Sequence, residues 1–261
     1  MEPSESESLV RQEIRDGIAV WTLDRPNRRN ALSRGTLERL IELRSKLPIS
    51  VRAVVLTGAG DKAFCAGADL KERKEMSEEE VRSLLDLFRS TLHEVDRMPI
   101  PTIAAIDGVA LGGGFELAMA CDFRIIRRTA SVGLPEVSLA IIPGAGGTVR
   151  LTRLVGEARA KELILLSKRL TAEEAYGLGL AHRIHDTSAL EGAMDLAQDL
   201  ARKAPIAVSA ALEAIDGAVC RPQDDALDRE RRCYERTLSS QDRIEALSAF
   251  VEKRPPRFLG E

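Results

Sequence analysis

The sequence predicts an α/β domain followed by a helical region. Short apolar runs of strand type alternate with longer segments of helical period. Glycine-bearing loops follow the strands at residues 64–69 and 111–116. The C-terminal stretch is highly charged, helical in period, and ends at Pro255 and Pro256. Neither a repeat nor a linker divides the 261 residues. The economical division is a disordered segment over 1–8, a core over 9–200 and a helical region over 201–261.

Residues 9–24 (LVRQEIRDGIAVWTLD) read as two strands around the turn Asp16-Gly17. RPNRRNALS is a loop, since Pro26 cannot donate to a ladder. Ser33 or Thr36 caps a helix running to about Lys46, with Leu37, Leu40, Ile41 and Arg44 on one face. RAVVLT (52–57) is a strand of buried type, stopped by Gly58. Ser77 before Glu78, Glu79 and Glu80 opens a helix over 77–97 with a capping box, ended by Pro99 and Pro101. TIAAIDG is a strand, ELAMACD a helix after the glycines, and DFRIIRR a strand again. The loop-rich SVGLPEVSLAIIPGAGGTVRLTRLVG runs into a helix. From about 157 the chain reads as mostly helical, with turns at 176–179 and at Asp186.

Composition narrows the function. Hydrophobic residues make up 44% and charged residues 30%, enough for a core and a solvated surface. With 38 basic against 41 acidic residues the net charge is -3, which offers nucleic acid no electrostatic footprint. Aromatics at 3% supply no base-stacking platform. Cys65, Cys121, Cys220 and Cys233 lack metal spacing, and His93, His182 and His185 form no HExxH pair, so no metal is expected. The acidic, serine-rich start is neither a signal nor a transit peptide, and no apolar run spans a bilayer. The expected location is the cytoplasm, or the mitochondrial matrix for a eukaryotic chain that has lost its transit peptide.

Chemistry concentrates at Phe64-Cys65-Ala66-Gly67-Ala68-Asp69 and Leu111-Gly112-Gly113-Gly114-Phe115-Glu116. Each loop could leave backbone N–H groups unpaired, and two converging on one oxygen make an oxyanion hole. On spacing alone, two ordinary tight turns are the simpler reading. Glu116 resists a simple reading, because Phe115 and Leu117 flank it in an apolar helix. A carboxylate there has a raised pKa and suits acid–base work. Glu136, in GLPEVSLAIIPG, is a second carboxylate among apolar neighbours, and two such groups can hold one water. Gly144-Ala145-Gly146-Gly147-Thr148 has no P-loop lysine, TGAG at 57–60 is no dinucleotide fingerprint, and no nucleophile elbow occurs. Covalent and nicotinamide chemistry are disfavoured.

Together FCAGADLKE, PTIAAIDGVALGGGFELAMACD and LPEVSLAIIPGAGGTVRL resemble the crotonase, or enoyl-CoA hydratase, superfamily, from about Leu9 to the end. The resemblance implies a crotonase-type spiral of strand-strand-helix turns, a C-terminal helical trimerisation region, and a homotrimer or a hexamer of two trimers. It implies an acyl-CoA thioester as substrate, with no cofactor beyond the coenzyme A that the substrate carries. By position, Ala68 and Gly113 are the implied oxyanion donors, and Glu116 and Glu136 the two carboxylates of hydratases. Isomerase-type members typically keep only the second carboxylate. Expected CoA contacts are Ala66, Ala68, Asp69, Leu70, Lys71 and Gly113, with Arg25, and with Phe250 and Lys253 reaching a neighbouring subunit's ligand.

FCAGADLKERKEM and the tail FVEKRPPRFLGE are further similar to the methylglutaconyl-CoA hydratases of leucine breakdown. Some of those bind RNA through a lysine-rich helix. Here SRGTLERLIELRSK mixes its basic residues with Glu38 and Glu42, so RNA binding is not carried over. The expected reaction is reversible addition of water to an enoyl-CoA. Alternatives are a short-chain enoyl-CoA hydratase of fatty-acid oxidation, a double-bond isomerase, or an RNA-binding or scaffold protein on the same fold.

Overall fold

The computed structural model describes residues 9–219 and 221–261. The segment 1–8, expected to be disordered, lies outside the described residues. Among the described residues ten strands form two sheets. The larger runs β1 (Val10–Arg15), β2 (Ile18–Leu23), β3 (Ala53–Gly58), β5 (Thr102–Ile106), β7 (Phe123–Arg127) and β10 (Arg183–His185), in that order. The smaller runs β4 (Ala63–Cys65), β6 (Val109–Leu111), β8 (Ser131–Gly133) and β9 (Arg169–Thr171). The β1–β2 hairpin is antiparallel, with Asp16 and Gly17 at positive φ in its turn. From β2 through β7 the neighbours are parallel, as are β4, β6 and β8.

Chain order explains the two sheets. The pairs β3–β4, β5–β6 and β7–β8 each leave one strand in the large sheet and the next in the small one. A helical segment follows each pair before the chain returns, so the strand-strand-helix spiral is realised.

Alternation along the central strands divides the core. Val54, Leu56, Ala104 and Ile106 face the main cluster with Phe64, Phe115 and Leu117. Ala53, Val55, Ile103 and Ala105 face the other way. There they meet Ala189, Ala193 and Ala197, an i, i+4, i+8 stripe on the helix Ala189–Ala201. Strands buried on both faces read as continuous apolar runs, which is why AVVLTG and TIAAI carry no polar alternation. Asp107, just past β5, accepts the N–H groups of Ala189 and Leu190 and fixes the start of that helix.

Several expectations shift in detail. Pro26–Arg28 form a 3-10 turn, and β3 runs through Gly58. Ser33 caps Arg34–Ser45, whose buried face is Thr36, Leu37, Leu40 and Leu43, with Ile41 half-buried. The capping box at Ser77 and Glu80 forms, and its helix is Glu78–Asp96. The region read as mostly helical after 157 also holds β9 and β10. Helices Pro205–Ala218, Gln223–Leu238 and Gln241–Glu252 make up the C-terminal region. Among the described residues no helix is long and apolar enough to cross a membrane.

Candidate active site

Strand β4 ends in the loop Ala66–Asp69, and a parallel bridge to Leu32 orients it. The Leu32 N–H donates to the Gly67 carbonyl at 2.8 Å, and the Asp69 N–H donates to the Leu32 carbonyl at 2.9 Å. Successive peptide groups alternate in an extended chain, so the Ala68 N–H faces away from Leu32. Strand β6 ends at Leu111, Gly112 follows, and the helix Gly113–Ala120 begins with no side-chain cap. The first N–H groups of a helix have no partner inside it. Among the described residues neither the Ala68 nor the Gly113 N–H finds a loop, turn or cap acceptor. They are neighbours: a Cβ placed on Gly113 would lie 3.6 Å from the Ala68 nitrogen.

The three glycines serve different needs. Gly112 sits at φ 53°, and a Cβ there would come within 3.1 Å of Glu136 Oε1. Gly113 presents its amide beside Ala68. Gly114 packs so close to β4 that a Cβ would lie 2.1 Å from the Cys65 carbonyl oxygen.

Glu116 is only 3% exposed. Its Oε1 accepts from the N–H groups of Ala145 (2.8 Å) and Gly147 (2.7 Å). Burial raises its pKa, while those two donors and the nearby Arg150 pull it back down. Arg150 also holds the loop: it donates to the Ala145 carbonyl at 2.9 Å and pairs with Asp96 at 3.1 Å. Glu136, 8% exposed, opens the 3-10 turn Glu136–Leu139. Burial, and then the Glu116 charge, push its pKa from an ordinary 4.5 up to about 7. Among the described residues its buried Oε2 has no hydrogen-bond partner.

Both carboxylates line one cavity of about 550 Å³, a size suited to a small-molecule ligand. Ala66, Ala68, Leu70 and Gly113 share that wall. Val81, Leu84, Leu85 and Phe88 form a helical stripe along it, and Leu139 and Ile142 add to its apolar lining. The other expected contacts lie elsewhere. Arg25 and Asp69 pair with each other at 2.9 Å, and Asp69 also caps Leu70–Lys74. Lys71 is exposed and absent from the wall, and Phe250 and Lys253 are exposed at the end of the C-terminal helix Gln241–Glu252. Sequence reasoning missed the apolar stripe, Arg73 on the same wall, and the grip of Ala145 and Gly147 on Glu116. The stripe was open to detection, since 81, 84, 85 and 88 keep helical period. Among the described residues no group of three or more His, Cys, Asp or Glu gathers as a metal site.

The family described as enoyl-CoA hydratase/isomerase matches residues 13–261. An enoyl-CoA isomerase/hydratase of Mycosarcoma maydis is 45% identical, covering 100% of this chain and 97% of its own. The mitochondrial methylglutaconyl-CoA hydratase of Mus musculus is 42% identical, covering 99% of this chain and 85% of its own. Among solved structures, an enoyl-CoA hydratase from Bacillus anthracis superimposes with a TM-score of 0.94 at 44% identity, over 97% of this chain and 100% of that one.

Proposed function

The chain belongs to the enoyl-CoA hydratase/isomerase, or crotonase, family, and on that premise we propose that it adds water reversibly across the α,β double bond of an enoyl-CoA. One observation carries this reading. Two buried carboxylates share a cavity with two unclaimed backbone amides. In the proposed reaction the Ala68 and Gly113 N–H groups hold the thioester oxygen and stabilise the enolate. Glu116, whose Oε1 accepts two backbone N–H bonds that favour the charged form against its burial, accepts a proton from water as hydroxide bonds to Cβ. Glu136, whose pKa of about 7 leaves a large protonated fraction near neutral pH, delivers its proton to Cα. The two groups end with exchanged protonation, and proton exchange with solvent restores them. The reaction needs no electron acceptor and no metal.

The finer substrate reading is 3-methylglutaconyl-CoA, supported by the FCAGADLKER stretch and by the mouse relative. Loss of conjugated thioester absorbance with crotonyl-CoA and 3-methylglutaconyl-CoA tests both levels. Hydration of neither rejects the hydratase reading. Much more efficient hydration of crotonyl-CoA rejects only the narrower substrate. A double-bond isomerase is the second reading, favoured by the free Oε2 of Glu136, which alone can carry a proton between two carbons. Isomerisation surviving in Glu116→Gln would support it.

The assembly is proposed as a trimer or a hexamer of two trimers. Leu227, Tyr234, Ile244, Leu247 and Phe250 are apolar and exposed on Gln223–Leu238 and Gln241–Glu252 in the single chain. Faces of this kind are normally covered by a partner. Light scattering is expected to give a trimeric or hexameric mass, and a stable, active monomer would contradict it. In such an assembly Phe250 and Lys253 reach a neighbour's ligand.

A further inference from the structure

Arg73 lies on the helix Leu70–Lys74, which Asp69 caps and which starts two residues after Ala68. It is half-buried, and among the described residues it is the one basic side chain on the cavity wall. The other arginines around the site are engaged: Arg25 with Asp69, and Arg150 with Asp96. No carboxylate or carbonyl among the described residues accepts from the Arg73 guanidinium. The nearby Glu72 carboxylate instead accepts the Arg34 N–H. Val81, Leu84 and Leu85 line the same cavity and give a cation no compensation. A half-buried charge without a partner is costly, and a guanidinium fork matches the paired oxygens of a carboxylate or phosphate.

We infer that Arg73 is the anion receptor of this cavity and takes an anionic oxygen group of the acyl-CoA. This rests on the acyl-CoA reading above and narrows it. Two parts of such a ligand carry the required chemistry. One is a carboxylate at the far end of a dicarboxylic acyl chain, and the other is a phosphate of the CoA moiety.

The test measures binding of saturated esters by calorimetry, so it does not depend on turnover. Wild type and Arg73→Met are compared with glutaryl-CoA, butyryl-CoA and butyryl-pantetheine, which lacks the CoA phosphates. Losing a charge-assisted pair should weaken binding by about tenfold to a hundredfold. A loss confined to glutaryl-CoA assigns Arg73 to an acyl carboxylate. Equal loss for both CoA esters, with butyryl-pantetheine unaffected, assigns it to a CoA phosphate. Arg73→Lys should recover part of either loss by restoring the charge. Unchanged affinity for both CoA esters, or an equal loss for butyryl-pantetheine, overturns the proposal. Failure of wild type to bind any ester would instead reject the acyl-CoA reading.

Discussion

Glu116→Gln and Glu136→Gln should each lower hydration turnover by roughly a hundredfold to ten-thousandfold, the range for a positioned acid or base. The amide keeps the shape of each side chain and removes its proton chemistry. The double variant should cost little more than the worse single one, because groups acting on one water act as a unit. Ester affinity should change far less, since neither carboxylate is assigned to hold CoA. Multiplication of the two losses would place the carboxylates at separate steps, and full activity in Glu136→Gln would remove that residue from the reaction. The pH profile supplies a second check. Glu136 is raised to about 7, so a reaction needing its proton slows as pH climbs through that value. The same shift has a sign in stability. A carboxyl whose folded pKa lies above its unfolded value costs stability increasingly as pH rises from about 4.5 to about 7, and constantly above. Glu136→Gln should therefore unfold at no lower a denaturant midpoint than wild type at pH 8, while losing activity.

What could be read beforehand was local anomaly and periodicity. Glu116 stood out because a carboxylate inside an apolar helix has no bland explanation, and its 3% exposure bears out its burial. The long helix Glu78–Asp96 announced itself through its capping box. Strands β9 and β10 escaped because three residues hold no measurable period. The stretch Gly144–Thr148 was passed over when judged as a phosphate loop. Its part in the site is to give two N–H groups to a carboxylate 29 and 31 residues upstream, a contact that only the folded chain creates. Arg25 and Asp69 looked like ligand contacts, yet they pair with each other across 44 residues. Arg73 sits in the charged run Lys71-Glu72-Arg73-Lys74-Glu75, where nothing local separates a cavity wall from solvent.

Gly113→Pro should lower turnover by about a hundredfold to a thousandfold, the scale of one lost oxyanion donor. The donor belongs to the backbone, so truncating a side chain cannot remove it. The position makes the substitution clean. Gly113 is the first residue of its helix, where proline is tolerated because its missing N–H has no intrahelical acceptor. The added carbon also needs a control, since a Cβ at Gly113 would stand 3.3 Å from Phe88 Cε1 and the ring must give slightly. Gly113→Ala introduces that carbon and keeps the N–H. The expected order is near-normal turnover in the alanine variant and the large loss in the proline variant. Both should retain the wild-type circular dichroism spectrum and oligomeric mass. Equal losses in the two would assign the effect to crowding against Phe88. A folded proline variant with near-normal turnover would leave the Ala68 N–H as the sole donor and exclude Gly113 from the oxyanion hole.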